Sequence, residues 1–417
     1  MITVIGASIL VFVALIHFFQ GNLNLKENKE IPEKSISDSL SPSPLPNENI
    51  NNLNSESESG SIGIWVPYLD LETCSSNNIE REFKNKFELI IEKAKEFHAD
   101  TLIVHVRSHN DALYPSQLFP WSHLLTGIQG KDPGFDPLKY MVSRCHESNL
   151  KFHAWINPLR VKASTYPKEL SKSNPFFKFD SEKYFLHHAD GICYNPAYKE
   201  VRQLIVAGVK EIVSNYSVDA IHFDDYFYPN PETLTSEDKA YREYINDSNF
   251  HEKMSLEQWR KRSINLLVEE VYNEIKSINP KIEFGISPPG NLKKCEEAGI
   301  DLNFWCNEHN RRVDYICPQI YWSTKYSIMP FEKVAKEWKK AMGNSEVKLY
   351  GGIAIYKAGT ELDNGTWKIE NDILSKEISI LKSLNYKGTM LYSWKYLNES
   401  KSESELEQLR KRLSSGF

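Results

Sequence analysis

From Gly60 onward, short apolar runs rich in β-branched and aromatic residues alternate with longer stretches whose apolar positions recur every three to four residues. The short runs fall at 62–66, 101–107, 150–156, 218–224, 281–287, 314–321, 347–353 and 387–393. Helical patterns lie between them, among them 79–97, 198–216, 255–278 and 369–384. Asn279-Pro280 closes the third of these, because the residue before a proline is pushed out of helical geometry. Strand followed by helix, repeated around the chain, predicts a closed parallel (β/α)8 barrel of the TIM type. A doubly wound open sheet is the alternative, and the lack of a G-x-G-x-x-G after the first run weakens it. Helix-to-strand connections are short, whereas the strand-to-helix stretches 108–135, 157–197 and 225–254 are long. The long loops therefore gather at the C-terminal mouth, where barrels of this kind keep their chemistry.

The pattern changes ahead of the barrel. Residues 2–19 are an almost unbroken apolar run, long enough for a marginal membrane span. No Lys or Arg precedes the run, no A-x-A motif follows it, and no cysteine stands near enough for lipidation. Residues 1–21 are expected to be an uncleaved anchor or a signal segment, with the membrane as a partner. Lys26, Lys29 and Lys34 after the run favour the inside, so orientation stays open from sequence alone. Residues 22–60 are rich in Ser, Pro, Asn and Glu and cannot bury enough apolar surface to order themselves. They are expected to be a disordered tether able to span roughly 130 Å. Residues 61–417 then form a single catalytic domain.

Composition narrows the partners. The net charge of -6 over 417 residues provides no basic field for phosphates, so nucleic acid is not expected as a partner. The 9 Trp and 21 Tyr supply rigid apolar faces, for core packing in most cases and for stacking on sugars in some. The six cysteines form no CxxC pair, which argues against structural zinc. Cys317 reads as a buried thiol, and a Cys295–Cys306 disulfide is conceivable. His187-His188 reads as a solvated pair rather than a metal site, and Gly351-Gly352 lacks the Lys-Ser/Thr of a phosphate loop. No metal or cofactor is expected.

Candidate chemistry sits at the strand ends. The fourth run ends Ile221-His222-Phe223-Asp224-Asp225-Tyr226. With a period of two, His222, Asp224 and Tyr226 share one face, while Ile221, Phe223 and Asp225 share the other. Asp224 is thereby expected in the barrel mouth, with His222 and Tyr226 as candidate substrate contacts, and Asp225 at its rim. Two carboxylates are the minimum for glycosidic cleavage, one protonating the leaving oxygen and one acting as nucleophile or base. Asp224 and Asp225 are the catalytic candidates; both roles fall to them only if the backbone turns between them, and otherwise one of them pairs with an acid from another loop, Asp111 (also a candidate substrate contact), Glu232 or Glu308. A purely structural role, capping a loop or pairing with Arg107, is the alternative. Trp155, Asn157, Gln319, Tyr321, Trp322 and Trp394 at other strand ends offer stacking faces and hydrogen bonds to hydroxyls. Arg107 is a candidate for binding a hydroxyl or lowering a neighbouring carboxylate's pKa.

These residues resemble the glycosyl-hydrolase-like family 10. The resemblance rests on Val106-Arg107 with Asp111-Ala112-Leu113-Tyr114, on Pro120-Trp121-Ser122, and on His153-Ala154-Trp155-Ile156-Asn157-Pro158-Leu159-Arg160. It continues through Asp219 to Pro229, Gly285-Ile286-Ser287-Pro288 and Pro318-Gln319-Ile320-Tyr321-Trp322, covering roughly 61–395 in family order. Ala220 and Leu159 depart from the family pattern, as does Pro289-Gly290-Asn291-Leu292. The resemblance implies a barrel, a cell-envelope location and hydrolysis of peptidoglycan glycan strands. It implies Asp224 and Asp225 as catalytic residues, and Arg107, Asn157, Gln319, Tyr321 and Trp322 as substrate contacts. A non-catalytic glycan-binding barrel and a metal-dependent polysaccharide deacetylase are the competing functions, and a cytoplasmic enzyme with an inward-facing anchor is the competing location.

Overall fold

The apolar runs become parallel strands because their β-branched residues suit a pleated surface buried on both faces. The structure is a computed structural model and describes residues 60–417 except 75, 180, 225, 226 and 230–232, and except the side chain of 297. The N-terminal apolar run and tether lie outside the described residues, within which no helix is long and apolar enough to cross a membrane.

Strands β1 (Ser61–Val66), β2 (Thr101–Arg107), β3 (Lys151–Ile156), β4 (Ala220–Phe223), β5 (Glu283–Ile286) and β6 (Tyr315–Ile316) pair in chain order. The next strand, β7, comes in two segments, Lys348–Leu349 and Gly351–Ala354, and β8 is Gly388–Tyr392. The first segment of β7 pairs with β6, the second pairs with β8, and β8 pairs with β1. Only Tyr350 separates the two segments, so the sheet closes into the expected eight-stranded barrel. The β6 ladder is shorter than the sequence suggests. Pro318 has no N–H to donate, and beyond it the chain keeps only single bridges, Gln319 to Pro289 and Gln319 to Gly352.

Eight helices follow their strands: α1 (Ile79–Glu96), α2 (Pro137–Glu147), α3 (Lys199–Asn215), α4 (Leu256–Ile278), α5 (Leu292–Glu297), α6 (Phe331–Met342), α7 (Ile373–Ser383) and α8 (Glu403–Leu413). Local chemistry sets their starts. Asn78 caps α1 by accepting from the Arg81 N–H at 3.1 Å, and Ser255 with Gln258 forms a capping box on α4. Two apolar layers hold the barrel. Ile64, Val104, Phe152, Ile221 and Phe284 face the helices, while Trp65, Ile103, Trp155, Ala220, Tyr315 and Cys317 fill the interior. Each fully buried side chain of this size contributes about 1.5–3 kcal/mol. Register then decides what meets inside: Trp155 pairs with His222 across β3 and β4, and His222 with Gly285 across β4 and β5. Gly285 is required there, because a Cβ would lie 1.9 Å from the Tyr315 ring. All six cysteines are free thiols, so the conceivable Cys295–Cys306 bond does not form; Cys295 instead donates to the Pro289 carbonyl at 3.0 Å.

Candidate active site

Asp224 directly follows β4, and its side chain is buried at 3% exposure. One carboxylate oxygen accepts from the Asn157 side-chain amide, carried by the end of β3. Asn157 Oδ1 lies 3.0 Å from His105 Nε2, and His105 Nδ1 accepts from the Tyr68 backbone N–H at 3.3 Å. These partners determine the tautomer: Nδ1 is an acceptor, so Nε2 carries the proton and donates to Asn157. The result is a one-way relay from the Tyr68 amide through His105 and Asn157 to Asp224. His105 stays neutral, because burial pushes its pKa well below the usual value and the Arg160 charge acts in the same direction. Its ring stacks on Trp155 with centroids 3.4 Å apart, which holds it in plane.

A second relay lies beneath, in the barrel interior. Trp65 Nε1 donates to His222 Nε2 at 3.4 Å, leaving His222 Nδ1 as the donor to the Tyr315 hydroxyl at 2.8 Å. The Tyr315 hydroxyl in turn donates to His153 Nδ1 at 3.0 Å. His222 is fully buried and both its nitrogens are engaged inside the protein. It therefore forms the floor under Asp224 rather than the substrate contact expected from its strand face.

Across the mouth stands an aromatic wall. Tyr321 lies 6.0 Å from Tyr356 and 5.7 Å from Tyr392, and Tyr392 lies 5.8 Å from Trp65 (ring centroids). Trp322 and Trp394 are half-buried, and Gln319 donates to the Ser287 carbonyl at 3.1 Å. The indole N–H groups of Trp155 and Trp394 are buried with no acceptor among the described residues. Such donors are costly to leave unpaired and favour a ligand that brings acceptors.

Other candidates lie elsewhere. Asp225, Tyr226 and Glu232 lie outside the described residues. Arg107 is turned away from the mouth: its guanidinium lies over the Phe119 ring at 4.3 Å and against Gly208 of α3. The ladder between β2 and β3 shifts register between His105 and Arg107, which sends the side chain into the helix layer. Asp111 is fully buried and accepts from His123 Nδ1 at 3.1 Å, Gln129 Nε2 at 3.3 Å and the His109 N–H at 3.3 Å. Burial alone would raise its pKa, but the His123 hydrogen bond and nearby positive charge outweigh this and hold it at about 2. Asp111 thus anchors the β2–α2 loop rather than offering a free acid. Glu308 pairs with its neighbour His309 on the helix-to-strand connection before β6, at the far end of the barrel. Asp314, which opens its strand, is likewise at that end and receives Lys276 at 2.7 Å. His187 is bonded to Glu182 at 2.9 Å, and His188 Nδ1 accepts from the Asp190 N–H. Among the described residues no group of three or more His, Cys, Asp or Glu is arranged to hold a metal ion.

Sequence reasoning passed over His105 and Tyr315. The signal for His105 is parity, since it shares the face of Ile103, which points into the barrel.

A closed parallel barrel with a carboxylate at its C-terminal mouth, faced by aromatic rings, has the layout of a barrel glycoside hydrolase. The chain belongs to the glycosyl hydrolase-like 10 family, which it matches over residues 63–368. It is 32% identical over 359 residues to glycosyl hydrolase YngK of Bacillus subtilis (strain 168), covering 81% of this chain and 68% of that protein. It is 31% identical over 389 residues to glycosyl hydrolase DigH of Escherichia coli (strain K12), covering 85% of this chain and 87% of DigH. In fold it is similar to the PgaB (BpsB) glycoside hydrolase domain from Bordetella bronchiseptica, with a TM-score of 0.54 at 12% identity over 84% of this chain and 99% of that domain.

Proposed function

We propose that the protein is a cell-envelope glycoside hydrolase that cleaves glycosidic bonds in peptidoglycan glycan strands, with Asp224 and Asp225 as its working carboxylates. The observation that carries this reading is the relay from Tyr68 through His105 and Asn157, which ends on Asp224 at the mouth. A neutral amide donor turns the carboxylate in one direction without cancelling its charge. That suits a group that must meet positive charge developing at a sugar ring. Asp224 supplies one of the two carboxyl functions and Asp225, or an acid from another loop, supplies the other, one protonating the leaving oxygen and one attacking carbon or activating water. The aromatic wall of Tyr321, Tyr356 and Tyr392 offers apolar faces that sugars match with their C–H groups. The N-terminal apolar run and tether support an envelope location, since together they would hold the barrel away from a membrane.

The test is incubation of the full chain with purified peptidoglycan, with and without stem peptides, followed by mass analysis of the soluble products. Soluble glycan fragments with new reducing ends are expected. A chain that sediments with the glycan yet releases nothing would replace the hydrolase reading with a binding role.

A further inference from the structure

Lys357 stands in the turn that leaves β7, immediately after Tyr356 of the aromatic wall. Its side chain and that of Asp363 are buried together, at 10% and 11% exposure, with Nζ 2.9 and 3.0 Å from the two carboxylate oxygens. Lys357 Nζ also donates to the Tyr321 backbone carbonyl at 2.6 Å. One ammonium thus ties the end of β7 to the chain beyond β6, at the peptide that joins Tyr321 to Trp322.

The surroundings hold this pair in place. Asp363, Asn364 and Gly365 all have left-handed backbone, at φ 52°, 60° and 77°, a turn that carries the Asp363 carboxylate back to Lys357. Trp367 Nε1 donates to Asp363 Oδ2 at 2.8 Å, and the Ser323 hydroxyl donates to Thr366 Oγ1 at 2.7 Å, a second tie between the same two loops. Glu377 of α7 is buried nearby, and burial with the Glu405 charge pushes its pKa well above the usual carboxylate range. Glu377 therefore stays protonated and leaves Asp363 as the counter-charge. A tie made only for stability has little use for a buried ion pair, since desolvation offsets most of the attraction and apolar side chains of similar volume do as well. What the ammonium adds is direction. The two rings it governs are Tyr356, its neighbour in the chain, and Tyr321, whose carbonyl it holds; their centroids stand 6.0 Å apart at 85°.

We infer that Lys357, locked by Asp363, is a positioning residue that sets the spacing of Tyr321 and Tyr356 in the aromatic wall, and with it the fit of a sugar ring there. This rests on the reading of the mouth as a glycan site, and it assigns the fit of that site to a buried ion pair outside the wall itself.

The test uses the full chain with Lys357→Met and Asp363→Asn combined. Losing both charges leaves no unpaired ion buried, and Asn keeps an acceptor for Trp367 and tolerates left-handed backbone. Tm is expected to stay within about 5 °C of the parent. KM for release from peptide-free peptidoglycan glycan should rise about tenfold, with kcat kept within about threefold. Kd for the same glycan, measured with Asp224→Asn added to both chains so that nothing is consumed, should rise by the same factor. Lys357→Arg keeps the charge and the pair, but its longer planar head displaces the Tyr321 carbonyl, so KM should rise there too. Parent-like KM and Kd in the double variant would overturn the inference, as would a loss confined to kcat. Should the double variant fail to fold, Lys357→Arg decides alone by the same criteria. Release by the parent is scored separately. No release with Kd still shifted by the double variant would sink the hydrolase reading and leave the role of Lys357 standing, and release with KM and Kd unshifted would do the reverse. A parent that binds no glycan would overturn both.

Discussion

Two hydrogen-bond relays run through this barrel, built from nearly the same residue types, and they do different things. The floor relay passes from Trp65 through His222 and Tyr315 to His153, starting and ending on neutral groups inside the protein. The mouth relay passes from Tyr68 through His105 and Asn157, and ends on a carboxylate at the strand tip. In both, burial keeps the histidines neutral. The lesson is that a buried histidine's role is read from what terminates its chain of donors. A relay that begins and ends on neutral buried groups satisfies polar atoms that would otherwise be unpaired in the core. A relay that ends on an anion at the mouth orients a group for chemistry.

Breaking the mouth relay should have the larger effect. Asn157→Leu removes the donor to Asp224 while keeping volume, and kcat for glycan release should fall about 10- to 100-fold with KM little changed. Unchanged kcat would mean that the relay does not aim Asp224. Breaking the floor should act on stability instead. Tyr315→Phe leaves His222 Nδ1 and His153 Nδ1 without partners, costing about 1–3 kcal/mol, read as a lower Tm with the rate per folded molecule largely kept. A rate loss matching that of Asn157→Leu would erase the distinction between the relays.

A third effect is in pH dependence. Burial pushes the His153 pKa down from 6.5 to about 3, so the unfolded chain takes up its proton first as pH falls. Its contribution is complete above pH 6.5 and is lost as pH drops toward 3. Glu405 of α8 acts with the opposite sign. Burial raises its pKa from 4.5 to about 7, so stability is lost as pH rises through that window. Comparing parent with His153→Gln cancels the Glu405 share. The Tm deficit of the variant should shrink between pH 7.5 and pH 4.5, and a constant deficit would contradict a neutral His153.

Much of this was legible in the residue pattern. All eight strands follow from apolar runs bounded by polar loops, and the crowded face follows from loop lengths. Asp224 stands out because an acid at the end of an apolar strand is costly without a purpose. His105 does not, since within Leu102-Ile103-Val104-His105-Val106 a histidine reads as one more core residue. Arg107 was expected at the substrate, but one register shift in the ladder turns it into the helix layer, and no periodicity marks such a shift. Asp111 was expected as a free acid, yet its role is set by His123 and Gln129, 12 and 18 residues along a loop whose fold leaves no pattern. Long-range side-chain partners are tertiary facts, and only the strand tips announce themselves.

The most direct measurement compares full-length parent and Asp224→Asn on peptide-free peptidoglycan glycan, scoring binding and release in the same samples. The account predicts equal binding with release reduced about 10²–10⁴-fold in the variant. Release within a few-fold of the parent would contradict it, and would move the chemistry away from the carboxylate that the relay holds.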